Sequence, residues 1–286
     1  KDIKLILNNS ATIFKKNIIN LFFSIFVIFF SYIKSLVILY KVNPLLVFGM
    51  GGHASFPVCI AARTLNIPFI IYENNIQIGK SNKYLLPFAL KIFVSYQELL
   101  GIKKKYEHKI ITTGNIIREE FLDFKKNKEF TPEILNILVL GGSQAAKSFG
   151  EFLPKIFKQC KKENITIKIF QQCIKSQTET LDGIYKNLNF DFELFNFTNN
   201  ISEYFSKTEL AITRSGSSVT AELINCNIPF ISIPYPHASD SHQDKNARYF
   251  EQKGYSLSVK EENVDEKLFS LIKKFYKDKK LLDKII

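Results

Sequence analysis

Four cysteines, Cys59, Cys160, Cys173 and Cys226, are all that 286 residues contain. That is too few for a disulfide scaffold. No two lie two to four residues apart, and no histidine shares a ligand-like spacing with them, so a zinc site is not indicated. Buried, reduced thiols in a cytosolic protein are the plain reading. Twelve glycines and nine prolines exclude collagen-like and low-complexity chains. No Walker A sequence and no Gly-x-Gly-x-x-Gly with a following acid occur, which speaks against an NTPase and against NAD binding. No Asp-x-Asp stands at a strand end to hold Mg²⁺. Arginine is scarce: Arg63, Arg118, Arg214 and Arg248 stand against 35 lysines. Where lysine serves for every ordinary charge, a retained arginine points to a need for its planar fork. Met50 is the single methionine and the chain opens Lys1-Asp2-Ile3, so we expect a fragment of a longer protein.

What is present is a foldable chain. Hydrophobic residues make up 46% and charged ones 23%, enough apolar material for a packed core. At about 100–200 residues per domain, two domains are expected. The net charge of +12 is scattered; it allows an anionic partner, but no nucleic-acid motif accompanies it.

Residues 17–33 carry no charge, follow Lys15 and Lys16, and precede Lys34. Seventeen helical residues span about 25 Å, short of a comfortable bilayer crossing. Asn17, Asn20, Ser24 and Ser31 weaken a spanning reading further. A buried core helix, an anchor, and a helix resting its apolar face on a membrane surface all fit, and the last suits the soluble remainder best.

After residue 40, short apolar runs alternate with amphipathic stretches. Strands are expected at Leu45–Phe48, Pro68–Tyr72, Ile92–Ser95 and Lys109–Thr112, with helices at Ala54–Leu65 and 81–90. Residues 121–133 form a polar, charged break, and the domain boundary is drawn at 130/131. The alternation then restarts, with strands at Asn136–Leu140, Thr166–Gln171, Phe192–Phe195, Leu210–Thr213, Pro229–Ile233 and Tyr255–Val259. Helices are expected at Ala145–Lys161, 177–188, Ile201–Phe205, Ser217–Asn225, His242–Lys253 and 264–276. Repeated β-α units predict an α/β protein of two Rossmann-like domains, with parallel sheets facing a cleft.

Ligands of open parallel sheets bind beyond the carboxyl ends of the strands. Gly49-Met50-Gly51-Gly52-His53, Glu73-Asn74-Asn75, Gly141-Gly142-Ser143-Gln144 and Arg214-Ser215-Gly216-Ser217-Ser218 all follow strands. The glycine loops read equally as tight strand-to-helix turns. Glu222 has two readings. It either complements the dipole of a helix capped by Ser217 or Ser218, or accepts from two ribose hydroxyls while the N-terminal amides hold phosphate. His53 is a base by type. His237 and His242, with two aspartates between them, sit in a segment without fixed periodicity and make a poor metal site.

Together these segments resemble the MurG family. The resemblance rests on Val47–Gly52, Tyr72–Asn75, Thr113–Arg118, Leu140–Gln144, Arg214–Gly216 and Pro236-His237 through His242-Gln243 to Asn246-Ala247, in that order. It implies a GT-B glycosyltransferase fold and inverting transfer of GlcNAc from UDP-GlcNAc to undecaprenyl-pyrophosphoryl-MurNAc-pentapeptide in peptidoglycan synthesis, without metal or other cofactor. By position it implies UDP-GlcNAc contacts at Asn75, Arg118, Ser143, Ile201 and Gln243. The nucleotide would lie on Ser217, Ser218, Val219, Thr220, Ala221 and Glu222, and the acceptor pyrophosphate near Gly51 and Gly52. Residues 1–130 would form an incomplete acceptor and membrane-contact domain, and 131–286 the UDP-GlcNAc domain. Residues 18–33 would rest on an anionic surface, the cytoplasmic face of a bacterial inner membrane. The family's first loop, Gly-Gly-Thr-Gly-Gly-His, is absent here, and with it a histidine considered for the base. Glu73 and His53 remain candidates, and the base is unassigned. His53 stands for a usual Tyr, and Tyr72 and Asn74 for a usual His and Gln. The end at Ile286 is expected to be early. Within the same fold a UDP-GlcNAc 2-epimerase is an alternative, as is a non-catalytic nucleotide-sugar-binding protein.

Overall fold

A computed structural model describes residues 4–8, 18–125, 130–238 and 241–285, with the side chains of 18–21 and 143–146 outside the description. The chain divides into two units, Lys1–Asn115 and Ile116–Ile286.

In the first unit, α1 (Ile18–Val42) is followed by β1 (Val47–Gly49), α2 (Gly52–Thr64), β2 (Phe69–Glu73), α3 (Lys80–Leu85), β3 (Ile92–Val94) and β4 (Ile110–Thr112). The strands form one parallel sheet in the order β1-β2-β3-β4. Ile71, Ile92, Val94, Leu85 and Cys59 are fully buried beneath it. Helix α1 runs well past Ile33, because exposed lysines such as Lys34 do not interrupt a helix. It ends where Asn43 takes φ +46° and Pro44 follows, a combination that no helix continues. Helix α3 stops at Leu85, five residues before the expected end, because Pro87 has no N–H with which to continue the ladder.

In the second unit, β5 (Leu135–Leu140), α4 (Gly142–Lys162), β6 (Ile167–Gln172), α5 (Thr178–Asn187), β7 (Asp191–Phe195), α6 (Ile201–Ser206), β8 (Leu210–Thr213), α7 (Ser217–Asn225), β9 (Phe230–Ser232), α8 (His242–Gln252), β10 (Ser256–Ser258) and α9 (Val264–Lys277) follow in turn. All strand pairs are parallel. Their spatial order, β7-β6-β5-β8-β9-β10, is the doubly wound order 3-2-1-4-5-6 with its topological switch point between β5 and β8.

The division at 115/116 lies ahead of the boundary drawn at 130/131. The intervening strap belongs with the second unit: Phe121 is fully buried, its ring centroid lies 4.7 Å from that of Phe205, and Asn225 Nδ2 donates to its carbonyl at 2.9 Å. The polar composition of 121–133 masks this aromatic anchor, to which Phe124 adds a ring 6.5 Å from that of Phe205.

Helix α1 has its small polar residues inside. Ser24, Ser31 and Ser35 are buried, whereas Phe22, Phe26, Phe29, Phe30, Ile33 and Val37 are 41–69% exposed. Asn8 Nδ2 donates to Ser31 O and Ser35 Oγ, Lys34 Nζ donates to Leu7 O, and Tyr32 Oη lies 3.0 Å from Thr64 Oγ1 of α2. By length and composition the helix could cross a membrane over Phe22–Val42. Its serine face is instead packed on protein. Lys15 and Lys16 lie outside the described residues.

Candidate nucleotide site at the switch point

Two helices start directly at the carboxyl ends of the strands flanking the switch point. Gly141 is the N-cap of α4 and Gly216 that of α7. A glycine has no side chain to cap the first turn, so the serine caps expected at Ser217 or Ser218 are not formed. Ser217 is instead the first helical residue, and Thr220 Oγ1 folds back onto Gly216 O at 2.8 Å. Gly142 takes φ +69°, with open space where a Cβ would stand. Its N–H is accepted by Gln172 Oε1 at 3.1 Å. Helix N-termini placed this way favour an anion.

Glu222 lies in the second turn of α7 with its side chain 6% exposed. Arg118 Nε and Nη2 donate to its two carboxylate oxygens at 2.8 and 2.7 Å. Arg118 also lies 3.3 Å from Glu120 and 4.9 Å from the Phe121 ring centroid. The hydrogen bond to Glu222 raises the guanidinium pKa against the opposing effect of burial. Two residues separately assigned to donor contacts are therefore bonded to each other.

The second retained arginine, Arg214, is 4% exposed. It donates to Ile233 O at 3.1 Å, Pro234 O at 3.2 Å and Ser148 Oγ, pairs with Glu261, and lies 4.5 Å over the Phe149 ring. Burial lowers its pKa, and Glu261 partly offsets that. Arg214 ties the ends of β8 and β9 to α4. Helix α8 adds two more ties. Asn246 Nδ2 donates to Ser215 O at 3.1 Å, and Gln243 Oε1 accepts from Tyr235 N at 2.9 Å. Ile201 is buried at the start of α6. Among the candidates Ser218 is exposed, Val219 half-buried and Ala221 buried; the side chain of Ser143 lies outside the described residues. Among those described, no three His, Cys, Asp or Glu side chains converge as a metal site.

In the first unit, Glu73 is 4% exposed. Its carboxylate accepts from Asn75 N at 3.2 Å, Asn75 Nδ2 at 3.1 Å, Gly79 N at 2.8 Å and Asn82 Nδ2 at 2.9 Å. Asn82 Nδ2 also donates to Tyr72 O at 2.8 Å. Gly51 takes φ +79°, and a Cβ there would stand 3.1 Å from Tyr72 O and 3.2 Å from Asn82 Nδ2. Glycine is therefore required at 51 by both conformation and space. Glu73 thus holds the Asn75 loop, and Asn82 with the Tyr72 carbonyl crowds Gly51. Asn82 was not among the sequence candidates; it sits nine positions from Glu73 on α3, and no local spacing signals it. His53 is exposed in the first turn of α2.

Residues 136–284 match the glycosyltransferase family 28 C-terminal domain, and residues 8–94 match the family 28 N-terminal domain. A protein of Pelagibacter ubique (strain HTCC1062), a UDP-N-acetylglucosamine–N-acetylmuramyl-(pentapeptide) pyrophosphoryl-undecaprenol N-acetylglucosamine transferase, is 35% identical over 217 residues, covering 76% of this chain and 60% of its own length. A Rickettsia felis protein of the same name is 33% identical, covering 84% of this chain and 71% of its own. The chain thus spans about three fifths to seven tenths of these relatives. The crystal structure of Acinetobacter baumannii MurG superposes with a TM-score of 0.71 at 25% identity, over 91% of this chain and 74% of that one. A UDP-N-acetylglucosamine 2-epimerase structure shares the fold alone, at 15% identity and a TM-score of 0.60. Family models over both units, relatives above 30% identity and a GT-B fold agree: the chain belongs to glycosyltransferase family 28, in its MurG branch.

Proposed function

We propose that this chain transfers GlcNAc from UDP-GlcNAc to undecaprenyl-pyrophosphoryl-MurNAc-pentapeptide in peptidoglycan synthesis. The observation that carries the reading is the switch point, where two helices, α4 and α7, start at glycines and α7 carries the buried carboxylate of Glu222. Glu222 would accept from the ribose hydroxyls, and Ser217–Ala221 would line the nucleotide. Arg118 and the α4 start at Ser143 would face the diphosphate. Ile201 and Gln243 add further donor contacts within the second unit; in the first unit, Asn75 is the candidate sugar contact and Gly51-Gly52 the candidate turn for the acceptor pyrophosphate. The acceptor hydroxyl attacks the anomeric carbon and gives its proton to a general base, the C–O bond to UDP breaks, and charge gathers on the leaving diphosphate. Helix N-termini and Arg118 supply preorganised stabilisation of that charge.

Calorimetric titration of the full chain with UDP tests the donor site, with ADP as control. UDP binding is expected to be selective, and Glu222→Gln is expected to weaken it about 10- to 100-fold, the worth of hydrogen bonds to a charged group. Absence of UDP binding by a chain that melts cooperatively overturns the reading.

The same proposal places the protein peripherally on the cytoplasmic face of the inner membrane, through the exposed face of α1. The Phe26 and Phe30 rings lie 4.8 Å apart on that face, tilted by 57°. Burying one such side chain is worth about 1.5–3 kcal/mol. Replacing both by Asp is therefore expected to lower binding to anionic phospholipid vesicles by more than about tenfold. Wild-type chain that stays in the supernatant refutes the membrane assignment.

A further inference from the structure

We infer that Arg118 is a specificity-determining residue that makes the nucleotide site demand a diphosphate. Its guanidinium fork holds both oxygens of the carboxylate that the ribose needs, and a ligand without an anion leaves Arg118 only the single contact to Glu120 at 3.3 Å in exchange. The inference rests on the donor-site reading above.

Both oxygens of Glu222 are taken by the Arg118 fork, at 2.8 and 2.7 Å. A vicinal diol needs those same two acceptors, so ribose and Arg118 compete. The partners differ in freedom. Glu222 is 6% exposed on α7, whereas Arg118 is 48% exposed. The backbone beneath Arg118 is pinned by the buried Phe121 and by Asn225, so the guanidinium can swing while its base stays fixed. Exchanging two N⁺–H···O⁻ bonds for two O–H···O⁻ bonds gives up a charge-assisted bidentate pair. A nucleoside offers Arg118 nothing in return. A nucleoside diphosphate offers a second planar match for the fork, so each subsite is filled at the other's release. Ribose and diphosphate recognition are then coupled, and nucleosides are rejected.

The test compares uridine and UDP by titration of the full chain, following weak uridine binding by NMR shifts. With four arginines in the chain, the Nε–H region also reports on Arg118 directly. Arg118→Ala is expected to weaken UDP at least tenfold yet strengthen uridine three- to tenfold, since the carboxylate is freed. Arg118→Lys, which keeps the charge and lacks the fork, is expected to strengthen uridine while losing less UDP affinity. UDP added to the wild type is expected to move one Nε–H signal, which Glu222→Gln shifts in the free protein. Uridine binding that is unchanged or weaker in both folded Arg118 variants overturns the competition and leaves the donor site standing. UDP affinity indifferent to Glu222→Gln overturns the ribose assignment, and this inference with it.

Discussion

Glu73→Ala is expected to destabilise the protein by about 3–5 kcal/mol, the cost of stranding several buried donors at once. Four N–H bonds converge on this carboxylate, from Asn75 N, Asn75 Nδ2, Gly79 N and Asn82 Nδ2. Asn75 is half-buried and can turn to water, but Asn82 is 1% exposed and loses an acceptor it cannot replace. Glu73→Gln keeps one accepting oxygen and turns a donor toward another donor, so an intermediate loss is expected. Urea unfolding measures the size of the effect. Hydrogen exchange is expected to place it in residues 74–82. The same geometry separates two roles for Glu73. A proton-accepting base would lose turnover on conversion to Gln with stability and donor affinity intact. The loop-holding role predicts lost stability and weakened discrimination of UDP-GlcNAc over UDP. Unchanged stability in Glu73→Ala contradicts the hydrogen-bond geometry.

Arg214→Ala carries a comparable penalty, about 3–5 kcal/mol for removing one partner of a buried charged network. Its guanidinium holds two carbonyls, Ile233 O and Pro234 O, together with Ser148 and Glu261, and covers the Phe149 ring. Those partners come from α4, from the end of β9, and from the segment before α9. Removing the fork therefore loosens the switch point itself. Lysine is expected not to rescue, because one ammonium cannot present N–H groups to all of these partners or stack on an aromatic face. Denaturant midpoints of the alanine and lysine variants check this. A lysine variant within about 0.5 kcal/mol of wild type, the scatter of ordinary surface substitutions, shows that charge alone suffices.

The scarcity of arginine was informative. Of the four arginines that stand against 35 lysines, Arg118 grips Glu222 with a bidentate fork, and Arg214 spreads its planar donors over separate acceptors. Arg63 lies 5.6 Å over the Phe88 ring, and Arg248 is exposed on α8. The scarcity signal said that a fork was needed and left its partner unnamed. The Arg118 and Glu222 positions are 104 residues apart, and no local pattern links them. Glu73 stood out only for lying beside a sugar contact. Its four donors come from a loop and from a helix whose return path depends on packing.

Local apolar periodicity by itself determined the β-α alternation, and most element centres with it, because that signal is written in neighbouring residues. It also marked the loops after the strands, with their glycines and polar groups, as the candidate site. Strand order was not local. Placing β8 beside β5, and so creating the switch point, required long-range pairing across some 70 residues of intervening sequence. The facing of α1 was equally undecided, since apolar residues surround nearly its whole circumference and periodicity cannot select a side. Tertiary contact selected the serine face. Ser24, Ser31 and Ser35 are small enough for close approach, and Asn8 and Ser31–Ser35 hydrogen bonds satisfy their backbone and hydroxyl neighbours. The phenylalanines were left outside because protein packing rewarded small polar groups at that seam, whereas composition alone recorded only that the segment was apolar.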